Sequence, residues 1–148
     1  MADIQIARCA PGVPMGFETL AAFARAEGYD FLNRLQMRWR DNAYLEDEDA
    51  CVLAAYADGV LAAIGAQTFD EYDPSPAHRR LRHFYVSPQQ RRAGVGRTLA
   101  GALIHEALDL APVLHLRATH DASTAFWDAM GFERVADRKD RTHRMTRG

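Results

Sequence analysis

The residues best placed to do chemistry are Arg91, Arg92, Ala93, Gly94, Val95 and Gly96, two arginines followed by two closely spaced glycines. Glycine lacks the Cβ that would hold a ligand away from the main chain. The guanidinium fork matches phosphate oxygens. From Val95 onward, Leu99, Leu103, Ala107 and Leu110 recur near helical spacing, so a long amphipathic helix starts at the glycines. Its first N–H groups have no intrahelical acceptor, and the macrodipole adds positive charge at that end. This spacing supports capture of an anion, above all a phosphate or pyrophosphate.

Two familiar phosphate sites are excluded. No Gly-Lys-Ser or Gly-Lys-Thr follows the loop, and Leu99 stands where a dinucleotide fingerprint needs its third glycine. Read without further context, the two glycines also fit a simple strand-to-helix turn.

The loop needs a rigid strand before it. Leu81, Phe84, Tyr85 and Val86 form an apolar, aromatic run that predicts a buried strand over 81–86, and Ser87-Pro88 stops it. Upstream, a first strand is expected over 4–7, broken by Pro11, Gly12 and Pro14, then two helices over 17–26 and 31–40 separated at Gly28. Phe31, Leu32, Leu35, Met37 and Trp39 on the second helix suit either core or a lid over an acceptor pocket. Asp-Gly at 58–59 between the apolar runs 51–57 and 60–69 is a hairpin signal. The acidic run Glu46-Asp47-Glu48-Asp49 reads as a solvated turn. Downstream, Pro112 introduces a strand over 113–118, which a helical crossover allows to lie parallel to the strand at 81–86. A short helix over 121–130 closes at Gly131, and strands over 132–135 and 142–145 finish the chain.

The chain of 148 residues suffices for one domain spanning 1–148. Its 48% hydrophobic and 26% charged residues fit a globular protein. A net charge of −2 argues against a nucleic-acid partner, and no apolar run is long enough for a membrane span. With no signal peptide at Met1 and two cysteines, Cys9 and Cys51, read as free and buried, the expected location is cytoplasmic. The six histidines form no metal-binding pattern.

The pattern Arg91-x-x-Gly94-x-Gly96 after a strand ending at Val86 resembles the coenzyme A loop of the GNAT superfamily of N-acyltransferases. A second motif, Ala125-Phe126-Trp127-Asp128-Ala129-Met130-Gly131-Phe132, about 35 residues on, is similar to the family's closing helix with an aromatic pair ending in Gly-Phe. With the order β-α-α-β-β-β-α-β-α-β-β, the resemblance covers essentially the whole chain.

That resemblance implies an α/β (α+β) fold: a mixed, mostly antiparallel sheet with flanking helices and a splayed parallel pair at 81–86 and 113–118. Acetyl-CoA would be the cosubstrate, its pantetheine arm running in the gap along Phe84, Tyr85 and Val86. Its pyrophosphate would sit on the amides of Arg91, Arg92, Ala93, Gly94, Val95 and Gly96, extending to Arg97 and Thr98. His120 and Ser123 would be near the pantetheine. Trp127 occupies a position where many members carry a tyrosine that protonates the thiolate, which leaves that role to water, Ser123 or Tyr85. The implied activity is N-acetylation of an amine on a small molecule or peptide. Dimers are common for this fold.

Such a reaction needs a neutral amine. Deprotonating a lysine-like amine at pH 7 costs about 4–5 kcal/mol, against about 2 kcal/mol for ionising a thiol, so a base matters more than an acid. Some family members carry a glutamate near the start of the central strand; here Arg80 and Arg82 occupy that region. His83 and Glu71 remain as candidate bases. The resemblance also implies an acceptor pocket bounded by the helical pair around Phe31 to Trp39, the loop from Asp70 to Asp73 and the turn near Arg138, where Asp70, Glu71 and Asp73 would suit a cationic amine. A non-catalytic acyl-CoA-binding or partner-binding module on the same scaffold is the alternative, and a flavin or nucleotide enzyme using the glycine loop is a distant third.

Overall fold

The computed structural model describes residues 3–9, 14–41 and 47–148. The break at Pro11 and Gly12, Glu46 of the acidic run and the Trp39 side chain lie outside the described residues. The expected element order is found. β1 (Ile4–Arg8) is followed by helices α1 (Phe17–Ala26) and α2 (Phe31–Arg40). Then come β2 (Cys51–Ala57), β3 (Val60–Phe69) and β4 (His78–Val86), a single 3-10 turn at Pro88–Gln90, and α3 (Val95–Leu110). β5 (Val113–Leu116), α4 (Asp121–Ala129), β6 (Glu133–Arg134) and β7 (His143–Thr146) complete the chain. The strands form one sheet in the order β1-β2-β3-β4-β5-β7-β6, antiparallel throughout except for β4 beside β5.

Local chemistry explains the corners. Asp58 and Gly59 both take positive φ, as a tight two-residue hairpin requires. At the end of α4 the Gly131 and Phe132 amides donate to the carbonyls of Asp128 and Trp127, closing the helix in a Schellman arrangement with Gly131 at φ 102°. On one sheet face α3 buries Val95, Leu99, Leu103 and Ala107 against β2, β3 and β4. Small residues on the strands let it approach: a Cβ on Gly65 would come within 2.8 Å of Leu103. The other face carries Phe17, Leu20, Leu32 and Leu35 of α1 and α2 over Ile64, Ala66 and Tyr85. Each such leucine, fully buried, contributes about 1.5–3 kcal/mol, so these two layers hold the sheet rigid beneath the site. No helix among the described residues is long and apolar enough to cross a membrane.

Two irregularities shape the centre. First, β4 and β5 pair only from His78/Val113 to Arg80/His115 and then part. Second, β4 is bulged. A two-residue step on β3, Ile64 to Ala66, faces a three-residue step on β4, Tyr85 to Arg82, and His83 sits in the bulge at φ 58°. The extra residue exchanges the two faces of the strand: Arg82 and Tyr85 share the α1/α2 side, while Phe84 and Val86 pack with the α3 side.

Some expectations shift. β4 begins at His78 rather than residue 81, because Arg79 and Arg80 are buried with partners: Gln67 and Asp47 for Arg79, the Asp140 carbonyl for Arg80. The acidic run is not merely solvated. Asp47 accepts the Phe69 amide at 2.7 Å and pairs with Arg79 at 3.4 Å, docking its segment to the end of β3. Cys51 is buried, but Cys9 only half-buried.

Candidate active site

The parting of β4 and β5 opens a cleft of about 810 Å³. One wall is residues 80–86 of β4 and the other is residues 116–118, with the start of α4 beyond. Gly94, Gly96 and Arg97 close one end; Arg34, Tyr72 and Arg80 lie towards the other.

At the glycine end the helix start is bare. Gly94 caps α3 at φ 84° with no side-chain cap, and no acidic residue stands in the first turn. The first intrahelical bond runs from the Thr98 amide to the Gly94 carbonyl, so the Val95, Gly96 and Arg97 amides have no helical acceptor. A Cβ built on Gly94 meets nothing within 4 Å, which places this residue on open space. Gly96 is different. A Cβ there would come 3.2 Å from Val86 Cγ2 and 3.4 Å from Phe126, so glycine lets the helix start nest between β4 and α4. The Ala93 amide is spent on the Gln90 carbonyl, and the Thr98 hydroxyl on the Gly94 carbonyl.

The arginines of the loop divide. Arg92 and Arg97 are exposed and have no carboxylate partner among the described residues. Arg91, expected as a free rim charge, is instead gripped by Glu27 at 2.7 and 2.9 Å, lies over the Tyr85 ring at 5.6 Å, and donates to the Val86 carbonyl at 3.3 Å. The Tyr85 hydroxyl donates to the same Glu27 carboxylate. Hydrogen bonding from Arg91 holds the Glu27 carboxyl below its usual range, while burial and then Glu27 push the Tyr85 phenol up. Glu27 belongs to no motif. Only its place one residue past α1 brings it here.

Backbone polarity along β4 follows from register. The Ser87 amide donates to the Ala62 carbonyl at 2.8 Å, so Tyr85 is the next residue bonded to β3. Val86, between them, turns its N–H and C=O away from β3, towards the side β5 has left. His83 donates through Nδ1 to the Phe31 carbonyl at 3.1 Å, which assigns the ring proton to Nδ1 and leaves Nε2 as an acceptor, buried and unpartnered. Burial first, then the charges of Arg82 and Arg38, lower its pKa to about 3.

Glu71, the other candidate base, does not line the cleft. It bonds Arg82 through both carboxylate oxygens and Arg38 at 2.9 Å. Its partial burial would raise its pKa, but hydrogen bonding and charge from Arg82, with Arg38, lower it to about 2. Asp70 is fully buried against His115, and Asp73 pairs with Arg141. None of the three acids expected to greet a cationic acceptor reaches the cleft wall.

On the opposite wall the His120 ring stacks on Tyr29 at 5.0 Å, so the α1–α2 corner meets the start of α4 across the cleft. The Ser123 hydroxyl donates to the His120 carbonyl at 3.0 Å. Trp127 is buried against Phe84, Phe126 and Phe132, with centroids 4.9, 4.8 and 5.5 Å away.

A sequence profile of the Acetyltransferase (GNAT) family matches residues 17–132, most of the chain and all of this site's main elements. The chain belongs to the GNAT acetyltransferase family. Solved structures agree on the fold. A protein from Exiguobacterium sp. 255-15 assigned as an acetyltransferase is 22% identical, with TM-score 0.86 over 97% of this chain and 93% of that one. An acetyltransferase from Streptococcus agalactiae 2603 is 17% identical, with TM-score 0.74 over 97% and 98%. PaiA N-acetyltransferase from Thermoplasma acidophilum, solved in complex with coenzyme A, is 16% identical, with TM-score 0.67 over 98% and 99%. The search of curated proteins returned no match. The splayed pair that the GNAT resemblance implied is thus present, with the mixed sheet and flanking helices around it.

Proposed function

We propose that the chain moves an acetyl group from acetyl-CoA to a primary amine, by direct attack of the amine on the thioester. One observation carries this reading: pairing between β4 and β5 stops at Arg80 and His115, and the gap leads straight to the bare start of α3. A doubly charged linker fits the Val95, Gly96 and Arg97 amides, with the Arg92 and Arg97 side chains adding charge. An extended amide-bearing arm fits beside residues 84–86 as an added strand, on the edge that β5 vacates. The Val86 N–H is then the donor nearest to hand for a developing oxyanion.

The proton balance decides which residues matter. A group with a pKa of about 3 does not take a proton from an alkylammonium near 10.4; the gap amounts to about 10 kcal/mol. Glu71, held lower still, does no better. His83 is therefore assigned to position the acceptor, its Nε2 accepting a hydrogen bond from an amine that arrives neutral or sheds its proton to water. A departing thiolate needs only about 2 kcal/mol of help at pH 7, which water supplies, so a buried Trp127 in place of a phenol is tolerable.

The test pairs binding with turnover. Coenzyme A should raise the melting temperature, and acetyl-CoA should release free thiol only when an amine is added, with acetylated amine found by mass spectrometry. Coenzyme A binding with no thiol release across a broad amine panel would instead favour the acyl-CoA-binding module.

A further inference from the structure

The end of the cleft away from the glycine loop has a chemistry of its own. No aspartate or glutamate lines the cleft among the described residues, whereas Arg34, Arg80 and Arg82 all do. Among the described residues, buried polar atoms without a hydrogen-bond partner are Arg80 Nη1, Arg82 Nε and His83 Nε2, all from one short stretch of β4, and Asp140 Oδ2, which faces Arg80 Nη1 at 3.7 Å. Native structures rarely leave such donors and acceptors unfilled, and each costs about 1–3 kcal/mol while it stays so.

The neighbouring carboxylates do not fill them. Glu71 takes the two terminal nitrogens of Arg82 and is shared with Arg38, leaving Nε aside. Arg80 is different: Asp70 and Asp140 each pair with its Nη1 at 3.7 Å and the Asp140 carbonyl accepts from Nη2, so its charge is already balanced. Arg34, exposed on α2, has no carboxylate partner among the described residues. The charges of Arg82, Arg38 and Arg34 all act to lower the pKa of His83, which reports the same positive field.

We infer that the acceptor is a primary amine that also carries an anionic group, a carboxylate or a phosphate-type oxyanion, held by Arg34 and Arg82 while His83 receives the amine. This rests on the acetyltransferase reading. It removes the basis for expecting those acids to receive a cationic amine, because they are tied to arginines and histidines away from the cleft wall.

Three acceptors with the same N-terminal glycine amine separate the possibilities: glycyl-glycine, glycyl-glycinamide and glycyl-aminomethylphosphonate. They are compared about one unit above the usual α-amine pKa of ~8, so that each amine is mostly neutral. At saturating acetyl-CoA, kcat/KM should be at least about tenfold higher for one or both anionic members than for the amide, as one charge-assisted contact provides. Whether the carboxylate or the phosphonate leads identifies the anion. Arg34→Gln, a change on an exposed helix face, should pull that ratio towards unity, and Arg82→Gln should do so independently. Equal rates for the amide and both anions, or a ratio unmoved by both substitutions, overturns the proposal. If none of the three is acetylated, calorimetric binding to the coenzyme A complex decides. Tighter binding of the anions keeps the anion site, the transferase reading being decided separately by thiol release across the broad amine panel; no preference removes the anion site.

Discussion

Glu27, one residue past the end of α1, holds both terminal nitrogens of Arg91 at 2.7 and 2.9 Å, joining the helical layer to the glycine loop. The same carboxylate receives the Tyr85 hydroxyl, so the end of β4 is tied into the contact as well. Arg91 is 44% exposed and Glu27 30%, which keeps the pair near the modest range of surface ion pairs, although its two-pronged geometry favours the upper end. Glu27→Gln should cost about 1 kcal/mol, a fall of about 2–4 °C in melting temperature. Coenzyme A affinity should fall about three- to tenfold as the loop loosens. Arg91→Ala should do much the same, and the double variant little more, since both cut one contact. An unchanged coenzyme A dissociation constant in Glu27→Gln would show that the contact serves stability alone.

Gly94 and Gly96 should respond differently to a side chain. Gly94 sits at φ 84° over open space, so Gly94→Val brings backbone strain of about 1–2 kcal/mol and puts its methyls where the pyrophosphate is proposed to lie. Coenzyme A affinity should fall more than tenfold, well beyond any change in melting temperature. Gly96→Ala meets Val86 at 3.2 Å and should chiefly lower stability. Titration calorimetry with coenzyme A and a thermal melt on both variants separate the two effects. Unaltered affinity in Gly94→Val would remove the phosphate-loop assignment.

Much of this fold is legible in the residues because its corners carry their own chemistry. Asp58-Gly59, Ser87-Pro88, Gly94 and Gly131 each mark a turn or helix end by what their backbones can do, and the elements between them follow with ends shifted by a few residues. What stays hidden depends on partners remote in sequence. Arg79 and Arg80 precede the apolar run from Leu81, and nothing local shows that Gln67, Asp47 and the Asp140 carbonyl meet them in the core. The acids at 70, 71 and 73 suggest a cation site until their arginines appear. The bulge at His83 has no glycine to announce it, yet it decides which β4 residues face the cleft. Glu27 gives no signal at all, because its meaning comes only from the α1–α2 corner reaching the loop.

Glu71 makes a prediction about acid. Its pKa is about 2 in the folded chain, against about 4.3 for a free glutamate, because Arg82 and Arg38 outweigh its partial burial. A depressed carboxylate stabilises the fold fully above the unfolded value and loses that contribution as pH falls through the folded one. Its stability contribution should therefore be complete above about pH 5 and fade between about pH 4 and 2. With 38% of the side chain exposed, solvent screening reduces the contribution to about 1 kcal/mol. Urea melts of the native chain and Glu71→Gln should differ by that amount at pH 7 and converge near pH 2. A gap that does not narrow would mean that Glu71 acts through packing rather than charge.

The pH dependence of turnover tests where the proton goes. If no group of the enzyme removes it, kcat/KM should rise with unit slope until the pKa of the acceptor itself, near 8 for an α-amine and near 10 for a lysine-like one. Changing the acceptor should move the break accordingly. His83→Gln retains a hydrogen-bond acceptor and should leave the break in place, with the loss falling on acceptor KM. Were the break to stay fixed across acceptors and shift or vanish in His83→Gln, the imidazole would be titrating in the reaction. That would require the acceptor complex to raise its pKa from about 3 by several units, against the charges of Arg82 and Arg38. An anion brought by the acceptor could offset those charges only in part, so the acceptor-dependent break is the outcome that the geometry supports.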